Sequence, residues 1–163
     1  MLYTSFTKAA CILCRATRLG FVRVFGNNKE IVKVEILPTV LKALSPKNEL
    51  ASEFNSQLDM YFANPKFSFD LPFSWDGTDF RRRVWSEILQ IPVGKTVTYG
   101  RLATLLGSSP RAVGRACGDN QLLLLVPCHR VVGKNHIGGF MGSNFGQSLD
   151  PKRWLIQHET GVR

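Results

Sequence analysis

The sequence predicts an α+β fold: a small N-terminal antiparallel sheet, then a mostly helical region carrying a helix-turn-helix and a candidate nucleophilic cysteine. Three features of the chain lead to that class. The first 45 or so residues alternate short apolar runs with turn residues, the pattern of half-buried strands. Beyond Gly77, three short helical patterns follow one another, each opened by Ser, Thr or Asp and closed by Gly or Pro. The apolar run Leu122 to Val126 then ends in Pro127-Cys128-His129, which sets a thiol and an imidazole at the edge of something buried.

In chain order, Cys11 to Thr17 and Gly20 to Phe25 read as paired strands, and the turn Gly26-Asn27-Asn28 leads into a third, Glu30 to Leu37. Gly and Asn there are expected to supply the positive φ of a tight hairpin. Glu49 to Phe62 places Leu50, Phe54, Leu58, Tyr61 and Phe62 near helical spacing. Ala63 to Gly77, with Pro65 and Pro72, reads as a linker. The chain therefore divides into a structural N-terminal unit, 1–70, and a C-terminal unit, 71–163. The second unit opens with a helix capped by Thr78 or Asp79, with Phe80, Val84, Trp85, Ile88 and Leu89 on one face, ended by Pro92 and Gly94. Thr98 caps Tyr99 to Leu106, which stops at Gly107; Ser108 or Ser109 caps the next helix, with Pro110 at its first position and Arg111 to Cys117 along it. Two short helices about a Gly turn, the second one basic, spell a helix-turn-helix. Leu122 to Val126 is too short for a membrane span and reads as a buried strand or core segment that Pro127 terminates.

With 44% hydrophobic residues, 163 residues suffice for a real core. Lys and Arg outnumber Asp and Glu by 21 to 12, a net charge of +9, which favours a polyanionic partner such as nucleic acid. No stretch reads as a membrane span or a secretory signal, so the expected location is the cytoplasm, or the nucleus in a eukaryotic cell. Cys11 and Cys14 form a lone C-x-x-C, while all three His residues lie in the other half; the pair reads as strand thiols or a local disulfide, and no metal is expected.

A thiol attacks as thiolate, and an imidazole backed by a carboxylate lowers its pKa. Neighbours on an extended strand face opposite sides, so Cys128 and His129 cooperate only if the backbone bends there or a water bridges them.

Around this pair stand Phe80-Arg81-Arg82-Arg83-Val84-Trp85, Ile91-Pro92-Val93-Gly94-Lys95, Thr98-Tyr99-Gly100-Arg101-Leu102-Ala103, and Ser109-Pro110-Arg111-Ala112-Val113-Gly114-Arg115-Ala116 with Asn120. Gly138-Gly139-Phe140 and Lys152-Arg153-Trp154-Leu155 through His158-Glu159 follow. In this order and spacing, from about Phe73 onward, the chain resembles the O6-alkylguanine-DNA alkyltransferases, suicide proteins that remove alkyl groups from guanine in DNA. The resemblance implies transfer from O6-alkylguanine, and from O4-alkylthymine, in double-stranded DNA to Cys128, once per molecule, after the damaged nucleotide has been flipped out. No cofactor is implied, and the protein is expected to act as a monomer in the minor groove. Residue by residue, His129 would take the thiol proton through a water, and Glu159 would orient His129. Tyr99 would turn the target phosphate and donate to the guanine ring. Asn120 would tie the turn after the recognition helix to the active-site segment. Arg111 would replace the extruded base, and Ser109, Ala112, Gly114 and Arg115 would meet DNA with Tyr99, the small residues allowing close approach. Pro127, Val131, Phe140, Met141 and Gly142 would wall the substrate pocket. Gln121 stands where the family usually has Pro, Phe140 where it has a pocket Tyr, and the loop 143–151 is longer than usual. Three other readings stay open at this level: a non-catalytic lesion binder, a plain helix-turn-helix DNA-binding protein, and a cysteine hydrolase that would turn over an ester or amide without DNA.

Overall fold

The computed structural model of the chain describes residues 9–141 and 150–161; Gly142 and most of the loop 143–151 lie outside the described residues. Strands β1 (Ala10–Thr17), β2 (Gly20–Gly26) and β3 (Ile31–Leu37) form an antiparallel sheet in sequential order. Alternation along them sends Val22, Val24, Val34 and Ile36 into the core. Cys11 and Cys14 lie on β1 as free thiols. The turn between β2 and β3 departs from the expected one, because none of Gly26, Asn27 and Asn28 has positive φ. Asn27 Oδ1 instead accepts from the backbone N–H of Lys29 and Glu30, an Asx turn that closes the loop by side-chain hydrogen bonding. Gly26 serves a different need: a Cβ there would lie 2.4 Å from the Glu30 carbonyl oxygen.

Helix α1 (Glu49–Ala63), capped by Asn48, lays Phe54, Leu58 and Tyr61 into the same core. The segment after it crosses beside β3, where Ile31 and Ser74 exchange backbone hydrogen bonds with the Pro72 and Ile31 carbonyls. Helix α2 (Asp79–Leu89) is capped by Thr78 and buries Val84, Trp85 and Ile88. Then come β4 (Val97–Thr98) and α3 (Tyr99–Leu106), capped by Thr98 and ended at Gly107 in the left-handed region, φ 61°. Ser109 caps α4 (Pro110–Gly118), with Pro110 in its first turn. Trp85 Nε1 donates to the Ala116 carbonyl (2.8 Å), so α2 buttresses α4 from behind.

The apolar run 122–126 is buried throughout, as a core segment should be, but it is not a strand. It folds into a turn in which Val126 N–H donates to the Leu122 carbonyl, with Leu124 at φ 73°. Asn120 explains this: its Oδ1 accepts from Leu122 N–H and its Nδ2 donates to the Val126 carbonyl, clamping the two ends of the run together. Pro127 follows at φ −78°, ψ 62°, the geometry of an inverse γ-turn, and Cys128–Arg130 forms one turn of 3-10 helix. Strand β5 (Val131–Val132) pairs in parallel with β4, and α5 (Asp150–Thr160) completes the fold. No helix among the described residues is long and apolar enough to cross a membrane.

Candidate active site

The β4–β5 pairing sets the site. Val97 pairs with Val131 and Thr98 with Val132, which brings the first residue of α3, Tyr99, alongside the turn carrying Cys128. Successive residues of a 3-10 turn project about 120° apart. The backbone bend that cooperation required is therefore present, and the two side chains diverge into different surroundings.

Cys128 lines a cavity of about 620 Å³ together with Tyr99, Pro110, Arg111, Gly114, Arg115, Cys117, Gly118, Asp119, His136, Gly138, Gly139 and Phe140. Its Sγ accepts from Asn120 Nδ2 at 3.2 Å. Burial pushes the thiol pKa up, and the Asn120 hydrogen bond and the Lys152 charge pull against it. Lys152 is itself fully buried: its Nζ donates to the carbonyls of Val131 (2.7 Å) and Gly139 (2.8 Å) and lies 3.4 Å from Tyr99 Oη. Burial lowers its pKa to about 8, so at neutral pH it is still an ammonium. Burial also raises the Tyr99 pKa, which keeps the phenol protonated. Gly138 makes room for that ring: at φ +79°, a Cβ there would lie 2.7 Å from Tyr99 Cε2.

His129 points the other way, into a buried cluster. Glu159 Oε1 receives His129 Nε2 (2.8 Å), Arg130 Nη2 (2.9 Å) and Tyr61 Oη (2.9 Å), while Oε2 receives Arg130 Nε (2.8 Å) and Gly94 N–H (3.4 Å). Burial alone would raise the Glu159 pKa, but the hydrogen bonds from His129 and Arg130 win and hold it far below the usual carboxylate range. The carboxylate can only accept, so His129 carries its proton on Nε2 and leaves Nδ1 as a base. Burial lowers the His129 pKa, against the opposing pull of Glu159, which keeps the imidazole neutral at neutral pH.

The expected site residues thus fall into three groups. Cys128, Tyr99, Phe140 and Arg111 meet at the cavity; Asn120 sits behind Cys128; His129 and Glu159 form the buried cluster. On α4, Arg111 and Arg115 are exposed and Ala112 and Gly114 half-buried, while Val113, Ala116 and Cys117 face inward; Ser109 caps the helix, its Oγ accepting from Ala112 N–H. Pro127, Val131 and Met141 are not among the lining residues; Val131 acts through its carbonyl, which fixes Lys152. The sequence reading missed Arg130, Tyr61 and the role of Lys152. A charged residue inside an otherwise apolar stretch was the available signal for Arg130. Tyr61 reads in sequence as one more apolar position of α1. No group of three or more His, Cys, Asp and Glu residues among those described is placed to hold a metal ion.

Residues 79–161 match the family model of the 6-O-methylguanine DNA methyltransferase DNA-binding domain. The chain is 37% identical over 149 residues to a probable methylated-DNA--protein-cysteine methyltransferase of Acanthamoeba polyphaga mimivirus, covering 88% of this chain and 92% of that protein. It is also 37% identical over 145 residues to the methylated-DNA--protein-cysteine methyltransferase of Saccharolobus solfataricus, covering 89% and 91%. The crystal structure of the Mycobacterium tuberculosis O6-methylguanine methyltransferase superposes with a TM-score of 0.77 at 30% identity over 92% of both chains. A structure of the M. tuberculosis protein in complex with DNA gives 0.75 at 31% identity over 91% of both. Agreement of the family model with relatives that span both halves of the chain leads to one conclusion: the chain belongs to the 6-O-methylguanine DNA methyltransferase family.

Proposed function

We propose that this protein repairs alkylated DNA directly, transferring the alkyl group of O6-alkylguanine, and of O4-alkylthymine, to Sγ of Cys128. The observation that carries this reading is a thiol opening into a cavity of about 620 Å³ that also reaches the outer helix of a helix-turn-helix. A cavity walled by Phe140 and Tyr99 suits a planar base. It lies against α4, whose exposed Arg115 meets phosphate while Ala112 and Gly114 let the helix backbone approach the minor groove. Arg111, which is exposed and also lines the cavity, fills the gap left by the flipped nucleotide.

The chemistry is a displacement at the alkyl carbon. The Cys128 thiol gives its proton, through a water, to Nδ1 of His129, and Glu159 and its hydrogen bonds stabilise the resulting imidazolium. Asn120 and the Lys152 ammonium stabilise the thiolate. As the sulfur–carbon bond forms, the carbon–O6 bond breaks, and the departing guanine takes a proton from Tyr99, beside which Lys152 stands at 3.4 Å. The proton held by His129 balances the one lost from Tyr99, so the products are neutral guanine and a thioether. Nothing in the site cleaves a thioether, so each molecule acts once and needs no cofactor. The labour divides between a structural unit, 1–70, and a DNA-binding and transfer unit, 71–163. We read the protein as a monomer of the cytoplasm, or of the nucleus in a eukaryote, where reducing conditions suit its free thiols.

The test is intact mass after mixing with duplex DNA containing O6-methylguanine. One added methyl, mapped to Cys128, is expected; Cys128→Ser should still bind the DNA and gain no mass. Transfer by Cys128→Ser at the wild-type rate would overturn the assignment.

A further inference from the structure

Tyr61 sits on α1, in the half of the chain that carries none of the transfer chemistry, yet its hydroxyl reaches the carboxylate on which His129 depends. The phenol is 1% exposed and packs against Phe69 and His158. Its backbone carbonyl is anchored to α5, accepting from His158 Nε2 at 2.7 Å. Among the described residues, its hydroxyl has one hydrogen-bond partner, Glu159 Oε1, at 2.9 Å. In an aromatic cluster a phenylalanine would pack as well, and a buried hydroxyl is costly unless it is bonded. The hydroxyl is therefore there for the carboxylate.

We propose that Tyr61 is a positioning residue that sets the basicity of His129 through Glu159, so that the N-terminal unit tunes the alkyl transfer. This rests on the reading of His129 as the base. Oε1 already accepts from His129 and Arg130, and the Tyr61 hydroxyl is a third donor on the same oxygen. Each added donor drains negative charge from that oxygen and weakens its pull on the His129 proton. Without the phenol, Glu159 would hold the imidazolium more strongly and His129 would charge at a higher pH. The charged groups acting on the imidazole are Glu159 and Lys152 from α5 and Arg130 from its own turn, with Tyr61 reaching it from α1 through Glu159. Of these, Tyr61 alone acts on the carboxylate without carrying charge. Its effect is thus separable from the rest.

The experiment follows alkylation of Cys128 by free O6-benzylguanine in single turnover across the pH range in which histidine titrates. Wild-type protein that gains no benzyl group would sink the functional reading itself. Given transfer by the wild type, Tyr61→Phe should move the acid limb of the rate profile to higher pH by about one unit or less, since one hydrogen bond is felt unequally by the two protonation states. Should Tyr61→Phe fail to fold, difluorotyrosine incorporated at this position keeps the ring and strengthens the donor; the limb should then move to lower pH. An acid limb that stays in place in both proteins, whether or not the rate is uniformly scaled, would overturn the proposal and leave Tyr61 a packing residue.

Discussion

Glu159→Gln gives the most informative perturbation of this site, because it keeps the shape of the side chain and removes only its charge and half its accepting capacity. The carboxylate is 1% exposed and receives His129, Tyr61, two nitrogens of Arg130 and Gly94 N–H. An amide offers a single accepting oxygen and turns its NH₂ toward donors on the other side. Arg130, 9% exposed, is left with the Ile91 carbonyl (2.7 Å) as its remaining acceptor. Breaking a buried ion pair from one side costs about 3–5 kcal/mol, most of it the stranded charge. At about 2–4 °C per kcal/mol for a chain of this size, the melting temperature should fall by roughly 6–20 °C. Alkyl transfer should slow by about a hundredfold or more, since the imidazolium loses its counter-charge. Urea unfolding at neutral pH measures the first effect and single-turnover alkylation the second. Adding Arg130→Met should return much of the stability and none of the rate, because it removes the stranded cation but not the need for a counter-charge. The pH dependence has a fixed sign. Folding lowers the Glu159 pKa, so its contribution is complete above the unfolded value of about 4.3 and is lost as the pH falls toward the folded one. The difference between wild type and variant should therefore shrink in acid. A destabilisation below about 1 kcal/mol, the scale of exposed pairs, would refute the view that these groups stand as one buried unit.

Three further substitutions and the response to salt extend these expectations. Asn120→Ala strands the buried Leu122 N–H and removes a donor from Cys128 Sγ, so it should cost about 1–3 kcal/mol in denaturant unfolding and shift thiol reactivity with iodoacetamide to higher pH. Lys152→Met should also move that thiol titration upward, because the ammonium opposes the burial of the thiolate. Since the folded Lys152 pKa is about 8, below the unfolded value of about 10.4, the wild type should gain stability as pH rises through that window and the Met variant should not. Arg111→Ala should slow reaction with duplex DNA more than with free O6-benzylguanine, and equal losses on both would assign Arg111 a structural role instead. Rates with duplex substrate should also fall steeply with added salt.

The features legible in the sequence alone are local ones. Thr78, Thr98 and Ser109 cap their helices, Gly107 ends α3 in the left-handed region, and Pro110 stands in the first turn of α4, because each of these bonds closes within a few residues of the chain. The three strands were legible for the same reason, since alternation with period two needs only a core on one side. The motif order around Cys128 likewise points to the family from sequence alone. The remaining features depend on packing between elements. Leu122 to Val126 has a strand's composition, but Asn120 clamps its ends into a turn, and apolar burial is satisfied equally by either shape. Whether Asn27 would close its turn through backbone torsion or through its own side chain depended on the register of β2 against β3. Apart from the family resemblance, nothing local in the sequence marks Glu159 or Lys152 as buried. Their burial, and the hydroxyl of Tyr61 on a carboxylate 98 positions away, arise only when α1, α5 and the Cys128 turn pack together. No periodicity records such contacts, because the energy that holds them is gained between elements and not along them.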